Sequence, residues 1–218
     1  MTNNQHPDTK RPAPKSENLF SVQSRIDRHS RAVQNGHKGG VLWLTGLSAS
    51  GKSTLALALE QRLFERGYQT YVLDGDNVRQ GLNSDLGFSP KDRNENIRRV
   101  GEVAALFADS GSIVITAFIS PYRADRDLAR SASPGLFHEV YVDASLAACE
   151  ERDPKGLYSR ARRGEIPEFT GISAPYEEPT APELVVDTEH ATIAESVEQL
   201  VEYVVERFTA ANVEPQAA

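Results

Sequence analysis

The sequence predicts one α/β domain: a central, mainly parallel five-stranded sheet covered by helices. Three observations lead there. Short β-branched runs alternate with amphipathic stretches, the pattern of strands joined by helical crossovers. The first run passes through a glycine-bearing loop directly into an amphipathic stretch, as in a strand–loop–helix unit. And 218 residues suit one domain with short tails, long enough to bury a core without disulfides or a structural metal.

The elements follow in order. Residues 1 to about 18 are rich in Pro, Asn and Lys and are expected to be disordered. A single domain is expected over residues 19–208, with a second frayed tail over 209–218. The first strand is VLWLT, residues 41–45, with Trp43 in the core. A helix runs from Lys52 to about Arg66, its stripe made by Leu55, Leu59 and Leu63, with Gly67 as its C-terminal cap. The second strand, QTYVL, ends at Leu73 and delivers Asp74, Gly75 and Asp76 to its C-terminal edge. Ser89, Pro90 and Asp92 read as a helix start: N-cap serine, proline at the first position, carboxylate at the third. That helix reaches about Asp109, with Ile97, Val100, Ala104 and Phe107 on one face. SIVITAF is the third strand, ending before Ile119 and Ser120; HEVYV is the fourth and ELVV the fifth. Thr192 and Glu195 form a capping-box pattern for a last helix whose stripe is Ile193, Val197, Leu200, Val204 and Phe208. In such a sheet the functional edge lies at the strand C-termini.

Composition removes several function classes. The net charge of −7 argues against nucleic-acid binding, which draws its affinity from Lys and Arg. No apolar run is long enough to span a membrane, and the N-terminus lacks the apolar stretch of a secretory signal, so a cytoplasmic protein is expected. Cys149 is the only cysteine, which precludes an internal disulfide and a cysteine-based zinc site. The histidines are scattered without ligand spacing.

The segment Gly46, Leu47, Ser48, Ala49, Ser50, Gly51, Lys52, Ser53 matches G-x-x-x-x-G-K-[ST] at every fixed position, and Thr54 follows it into the helix. It lies where the mechanism requires, between an apolar strand and an amphipathic helix. Loop N–H groups and the helix N-terminus suit a polyphosphate; Lys52 is placed for the β- and γ-phosphates, and Ser53 for Mg²⁺. The chain is thus expected to bind a nucleoside triphosphate. Asp74 and Asp76, at a strand end beside this loop, suit a magnesium ligand or a base for an attacking hydroxyl, and equally a turn cap. Arg79 and Arg93 suit a clamp for an anionic substrate, or a solvated face. Phe88 suits stacking on a purine, or packing under its loop. Arg98 and Arg99 are assigned to the solvated helix face or to ion pairs. No Asn-Lys-x-Asp string for reading guanine occurs, and Lys52, Asp74 and Asp76 are all present, which favours live chemistry over a switch or a degenerate subunit.

The strings GLSASGKST, LDGDNVR, GLNSDLGFS, DRNENIRR, FISPYR, ERDPKGLY and EFTGISAPYE closely resemble those of adenylyl-sulfate kinases, in order and over two-thirds of the chain. The resemblance implies a three-layer phosphate-loop kinase fold with a mobile lid. It also implies transfer of the ATP γ-phosphoryl to the 3′-hydroxyl of adenosine 5′-phosphosulfate, with Mg²⁺. Asp76 corresponds to the family's proposed base, with Asp74 in the magnesium region. Arg79, Phe88, Arg93, Asn96, Ile119, Ser120, Lys155 and Phe169 fall on substrate-holding positions, and Ser120 on a serine described as a phosphoserine intermediate. Ser120 also reads as a cap for the helix after Pro121, and phosphoryl transfer of this kind needs no covalent intermediate.

Residues 153–176 resemble the family's lid. They lack a clear hydrophobic period and carry Lys155, Arg160, Arg162 and Arg163, which suits closure over phosphates; a solvated connector is the alternative. Departures are modest: Ser159 precedes Arg160 where a basic residue is common, Pro167 and Glu168 precede Phe169, and Ala49 replaces a frequent third glycine. Arg25, Arg28 and Arg31 make the segment before the domain basic. Two readings stay open there: a helix packing on a partner subunit, since the family is often dimeric, or a solvated helix.

Overall fold

The computed structural model describes residues 16–20 and 22–210. The expectations for residues 1–15 and 211–218 lie outside the described residues. Helix α1 (Arg28–Asn35) precedes β1 (Gly40–Thr45), α2 (Lys52–Glu65), β2 (Thr70–Asp74), α3 (Gly75–Arg79) and α4 (Pro90–Asp109). The chain continues through β3 (Ile113–Ala117), α5 (Arg123–Ala132), β4 (Phe137–Asp143), α6 (Leu146–Arg152), α7 (Leu157–Arg162), β5 (Leu184–Asp187) and α8 (Ile193–Phe208).

The five strands form one sheet in the order β2-β3-β1-β4-β5, and every neighbouring pair is parallel. The expected sheet is therefore wholly rather than mainly parallel. β1 sits at its centre with all six residues buried, because helices cover both faces. Its side chains alternate between two cores. Leu42 and Leu44 join Leu55, Leu59 and Leu63 of α2 and Leu200, Val204 and Phe208 of α8. Val41 and Trp43 join Ile97, Val100 and Ala104 of α4 and Ala129 of α5 on the opposite face. Trp43 lies between Phe118 and Phe137, centroids 5.9 and 5.5 Å away.

The local signals act as expected. Ser89 Oγ accepts from Asp92 N–H to start α4, Thr192 and Glu195 complete a reciprocal capping box on α8, and Gly67 follows α2 at φ +83°. Three expectations are corrected. Phe107 is 36% exposed and stacks on Tyr71 of the edge strand, and Ile193 is 59% exposed because it occupies the first position of α8, beyond the sheet. Thr209 is not frayed: it bridges His37 and hydrogen-bonds Tyr68 through its hydroxyl at 2.8 Å. Helix α1 packs on its own domain, through buried Ala32, an Arg28–Asp109 ion pair at 2.7 Å and Asn35 reaching Gly111.

Candidate active site

The C-terminal ends of β1, β2 and β3 converge on the loop between β1 and α2. That loop takes its shape from three positive-φ residues, Gly46 at +152°, Ala49 at +60° and Gly51 at +101°. Glycine is required at 46, since a Cβ there would stand 2.5 Å from the carbonyl oxygen of Val142. Ala49 adopts a left-handed conformation that glycine takes at lower cost, which explains why glycine is frequent at that position. Lys52 opens α2 and folds back, donating to the carbonyls of Gly46 (3.0 Å) and Leu47 (2.5 Å) and to Ser50 Oγ (3.4 Å). Burial pushes its ammonium down to about 8, an effect that Asp74 partly opposes.

Ser53 Oγ donates to Asp74 Oδ2 at 2.7 Å, and Asp74 Oδ1 accepts the N–H of Asp76 at 3.0 Å, capping α3. The turn-cap reading of Asp74 is thus realised, and the same carboxylate also faces the loop serine. One hydroxyl and one carboxylate make a sparse oxygen set. It fits Mg²⁺, which keeps its waters and takes further ligands from phosphates. Asp76 is exposed at the start of α3 and pairs with Lys155 from the lid, a contact that raises the lysine above its ordinary range.

The predicted acceptor residues lie along the adjoining wall, with unequal exposure. Arg79 stacks its guanidinium 4.4 Å over the ring of Phe88, which is 69% exposed, and donates to the carbonyls of Leu86 and Gly87. Arg93 donates to Phe88 O and reaches Glu168 O (2.7 Å) and Thr170 Oγ1 (3.1 Å), joining α4 to the lid. Arg98 and Arg99 pair with Glu95, and Arg99 also with Asp85, as expected of a structural ion-pair cluster. Asn96 is buried and accepts from Asn83 through its side-chain oxygen at 2.9 Å. Phe169 is buried too, edge-on to Tyr158 at 5.1 Å.

Ser120 departs most from its expected surroundings. It does not cap α5, whose N-cap is Tyr122. Its hydroxyl points into the core, accepting from Trp43 Nε1 at 3.1 Å and donating to Thr45 Oγ1 at 3.0 Å. Its backbone is held at φ +40°. Beside it, Thr45 Oγ1 donates to Ile119 O at 2.7 Å.

The lid is more ordered than its sequence suggests. It contains α7 and a small core in which Tyr158, Ala161 and Phe169 pack with Leu47, Ala49 and Leu157. Tyr158 donates its hydroxyl to Ser48 O at 2.9 Å, fastening lid to loop. Thr188, after β5, donates to Ser50 O at 2.8 Å, and Arg152 donates to Thr188 O at 2.6 Å. Thr188 and Arg152 were not singled out in the sequence, because contacts between segments this distant carry no local spacing. Among the described residues, no helix is long and apolar enough to cross a membrane.

Comparisons with known proteins place the chain in a family. The family model for adenylylsulphate kinase matches residues 38–187. The adenylyl-sulfate kinase of Staphylococcus carnosus is 59% identical over 190 residues, covering 87% of this chain and 96% of that one. That of Bacillus pumilus is 59% identical over 193 residues, covering 88% and 98%. The structure of the Mycobacterium tuberculosis APS kinase CysC, in complex with AMPPNP and APS, superposes with a TM-score of 0.74. It is 48% identical and covers 78% of this chain and 98% of that one. A phosphate-loop kinase fold, with a loop lysine, a serine–aspartate pair and an exposed carboxylate at one sheet edge, thus meets a family match over most of its length: the chain belongs to the adenylylsulphate kinase family.

Proposed function

We propose that this chain transfers the γ-phosphoryl of ATP to the 3′-hydroxyl of adenosine 5′-phosphosulfate, and that the residues gathered at the β1–β2–β3 edge divide the work. The observation that carries the reading is the placement of Asp76. It stands two residues beyond the Ser53–Asp74 pair, exposed, and in contact with a lid lysine.

Loop N–H groups and Lys52 hold the triphosphate. Its arrival replaces three internal contacts of the ammonium with phosphate oxygens. Ser53 and Asp74 would hold Mg²⁺, which would supply neutralisation of the charge on the transferring phosphates. Asp76 orients the 3′-hydroxyl and accepts its proton. Arg79, Phe88 and Arg93 bind the acceptor through guanidinium contacts and ring stacking. Lys155 moves from Asp76 to the acceptor's anionic groups as the lid closes. Asn96, Ser120 and Phe169 support the pocket from behind, a role that fits their burial and, for Asn96 and Ser120, their internal hydrogen bonds better than direct contact, while half-buried Ile119 lines the pocket beside them. The chain acts in the cytoplasm and self-associates; light scattering tests the latter.

The test is product analysis by anion-exchange chromatography and mass spectrometry. Protein and Mg-ATP are supplied with adenosine 5′-phosphosulfate, and with AMP and gluconate as competing acceptors. Selective formation of 3′-phosphoadenosine 5′-phosphosulfate is expected. Faster transfer to a competitor, or none to adenosine 5′-phosphosulfate while ATP binds, overturns the reading.

A further inference from the structure

We infer that Arg126 is a positioning residue for the transfer, its guanidinium setting the stem of the lid against the wall of the acceptor site. The inference rests on the proposed reaction and adds to it a residue buried behind the site.

Arg126 lies in the first turn of α5 and is 2% exposed. Its fork points three ways. Nε donates to Glu139 Oε1 on β4 at 2.6 Å, Nη1 to the carbonyl of Ser120 at 2.7 Å, and Nη2 to the carbonyl of Glu177 at 2.7 Å. Two of the three acceptors are therefore backbone atoms of two different segments: the turn after β3 and the stem that follows the lid. The turn needs holding, since Ser120 sits at φ +40°, where a non-glycine residue persists only if its surroundings enforce it.

The neighbouring contacts repeat the same connection. Glu177 N–H donates to Pro121 O at 2.8 Å, and Arg123 Nε donates to Glu178 O at 2.7 Å. The Tyr176 hydroxyl meets Thr45 Oγ1 at 3.0 Å, on the group that also holds Ile119 and Ser120. Around Arg126, lid stem and acceptor wall form one body. A few residues before the stem, Thr170 accepts from Arg93 at the site, so movement of the stem shifts groups facing the acceptor.

Arginine is the side chain for this task. Its planar fork sends donors in fixed directions, whereas lysine offers a rotating point charge. Glu139 orients the fork by a charge-assisted bond. A buried pair of this kind adds little stability over an apolar pair of like volume. What an apolar pair does not supply is two aimed donors.

The test compares wild type, Arg126→Lys and the double variant Arg126→Met/Glu139→Leu, with Mg-ATP and adenosine 5′-phosphosulfate. The double variant removes the buried charges together, so its thermal midpoint is expected to fall only by the several degrees that two carbonyls deprived of their guanidinium donors cost. Its kcat is expected to fall at least about tenfold, as reacting groups lose alignment. KM for ATP should stay within about twofold, since the nucleotide loop is untouched. Trypsin should cut the lid at Arg160, Arg162 and Arg163 faster than in wild type. Arg126→Lys should fall between, and it carries the test if the double variant does not fold. A folded variant with wild-type kcat and wild-type lid cleavage overturns the inference. So does a kcat that falls only in step with the midpoint while lid cleavage is unchanged. If wild type itself transfers nothing to adenosine 5′-phosphosulfate, the proposed reaction fails, and lid cleavage still decides the role of Arg126.

Discussion

Trp43 donates its indole N–H to the hydroxyl of Ser120 across 3.1 Å, and that hydroxyl donates onward to Thr45 Oγ1 at 3.0 Å. Phosphorylating Ser120 would remove the proton it donates to Thr45 and place a dianion against a buried indole. Intact mass spectrometry after incubation with Mg-ATP is therefore expected to show no phosphoryl group on Ser120; a stoichiometric adduct there would refute this. Ser120→Ala leaves the indole N–H buried without its partner and should cost about 1–3 kcal/mol. At about 2–4 °C per kcal/mol for a domain of this size, the midpoint drop is measurable by calorimetry. Emission from the single tryptophan should shift with it.

Lys52 gives the site a proton linkage. Burial holds its folded value at about 8, below the ordinary lysine range, so the unfolded chain binds more protons above that pH. The sign is then fixed: this group makes folding stability rise with pH between about 8 and the ordinary lysine value. Triphosphate oxygens beside the ammonium favour its charged form and reverse the shift. Binding of Mg-ATP near pH 8.5 should take up a substantial fraction of one proton per site, and almost none near pH 6.5. Titration calorimetry in two buffers of different ionisation enthalpy measures this. Identical heats in both buffers near pH 8.5, after correcting for free ATP, would exclude the linkage.

Asp76 and Lys155 are both well exposed, so their ion pair contributes little to stability and its role is read from kinetics. Asp76→Asn keeps shape but removes the proton acceptor. It should lower kcat by about 10²–10⁴ with KM for ATP little changed. Equal kcat in wild type and variant would take Asp76 out of the base role. Lys155→Met should instead raise KM for the sulfate-bearing acceptor and weaken its dependence on salt, because the lost charge faces solvent.

What was legible in the sequence was local. The β1 apolar run, the glycine–lysine loop, the Ser89 cap and the Thr192–Glu195 box each specify structure within a few residues, and each is found in place. The strand-end position of Asp74 and Asp76 is legible for the same reason, since β2 must deliver them beside the loop. Ser120, Asn96 and Phe169 were assigned positions but not orientations. Which way a hydroxyl at φ +40° points depends on Trp43, 77 residues earlier in the chain. Tyr158 on Ser48, Thr188 on Ser50 and Arg126 on Glu177 were illegible for the same reason: each joins segments whose proximity exists only in the folded chain.

Gly101 makes the last prediction, because two rules oppose each other there. It lies mid-helix in α4, where alanine is intrinsically better by about 1 kcal/mol. Yet it faces α5 so closely that a Cβ would stand 2.9 Å from Ala129 Cα and 3.0 Å from Ala129 Cβ. Neither atom is the end of a flexible side chain, so relief requires one helix to move, at about 1–3 kcal/mol for overpacking of this kind. Sterics should win, and Gly101→Ala should be less stable than wild type in urea denaturation. Either helix carries a group tied to the site, Arg93 on α4 and Arg126 on α5, so turnover should fall beyond what the fraction unfolded explains. Ala129→Gly in the same chain removes the methyl–methyl contact but not the approach to Cα, and should restore only part of both. A Gly101→Ala variant as stable as wild type would mean that the two helices are not held at this distance in solution.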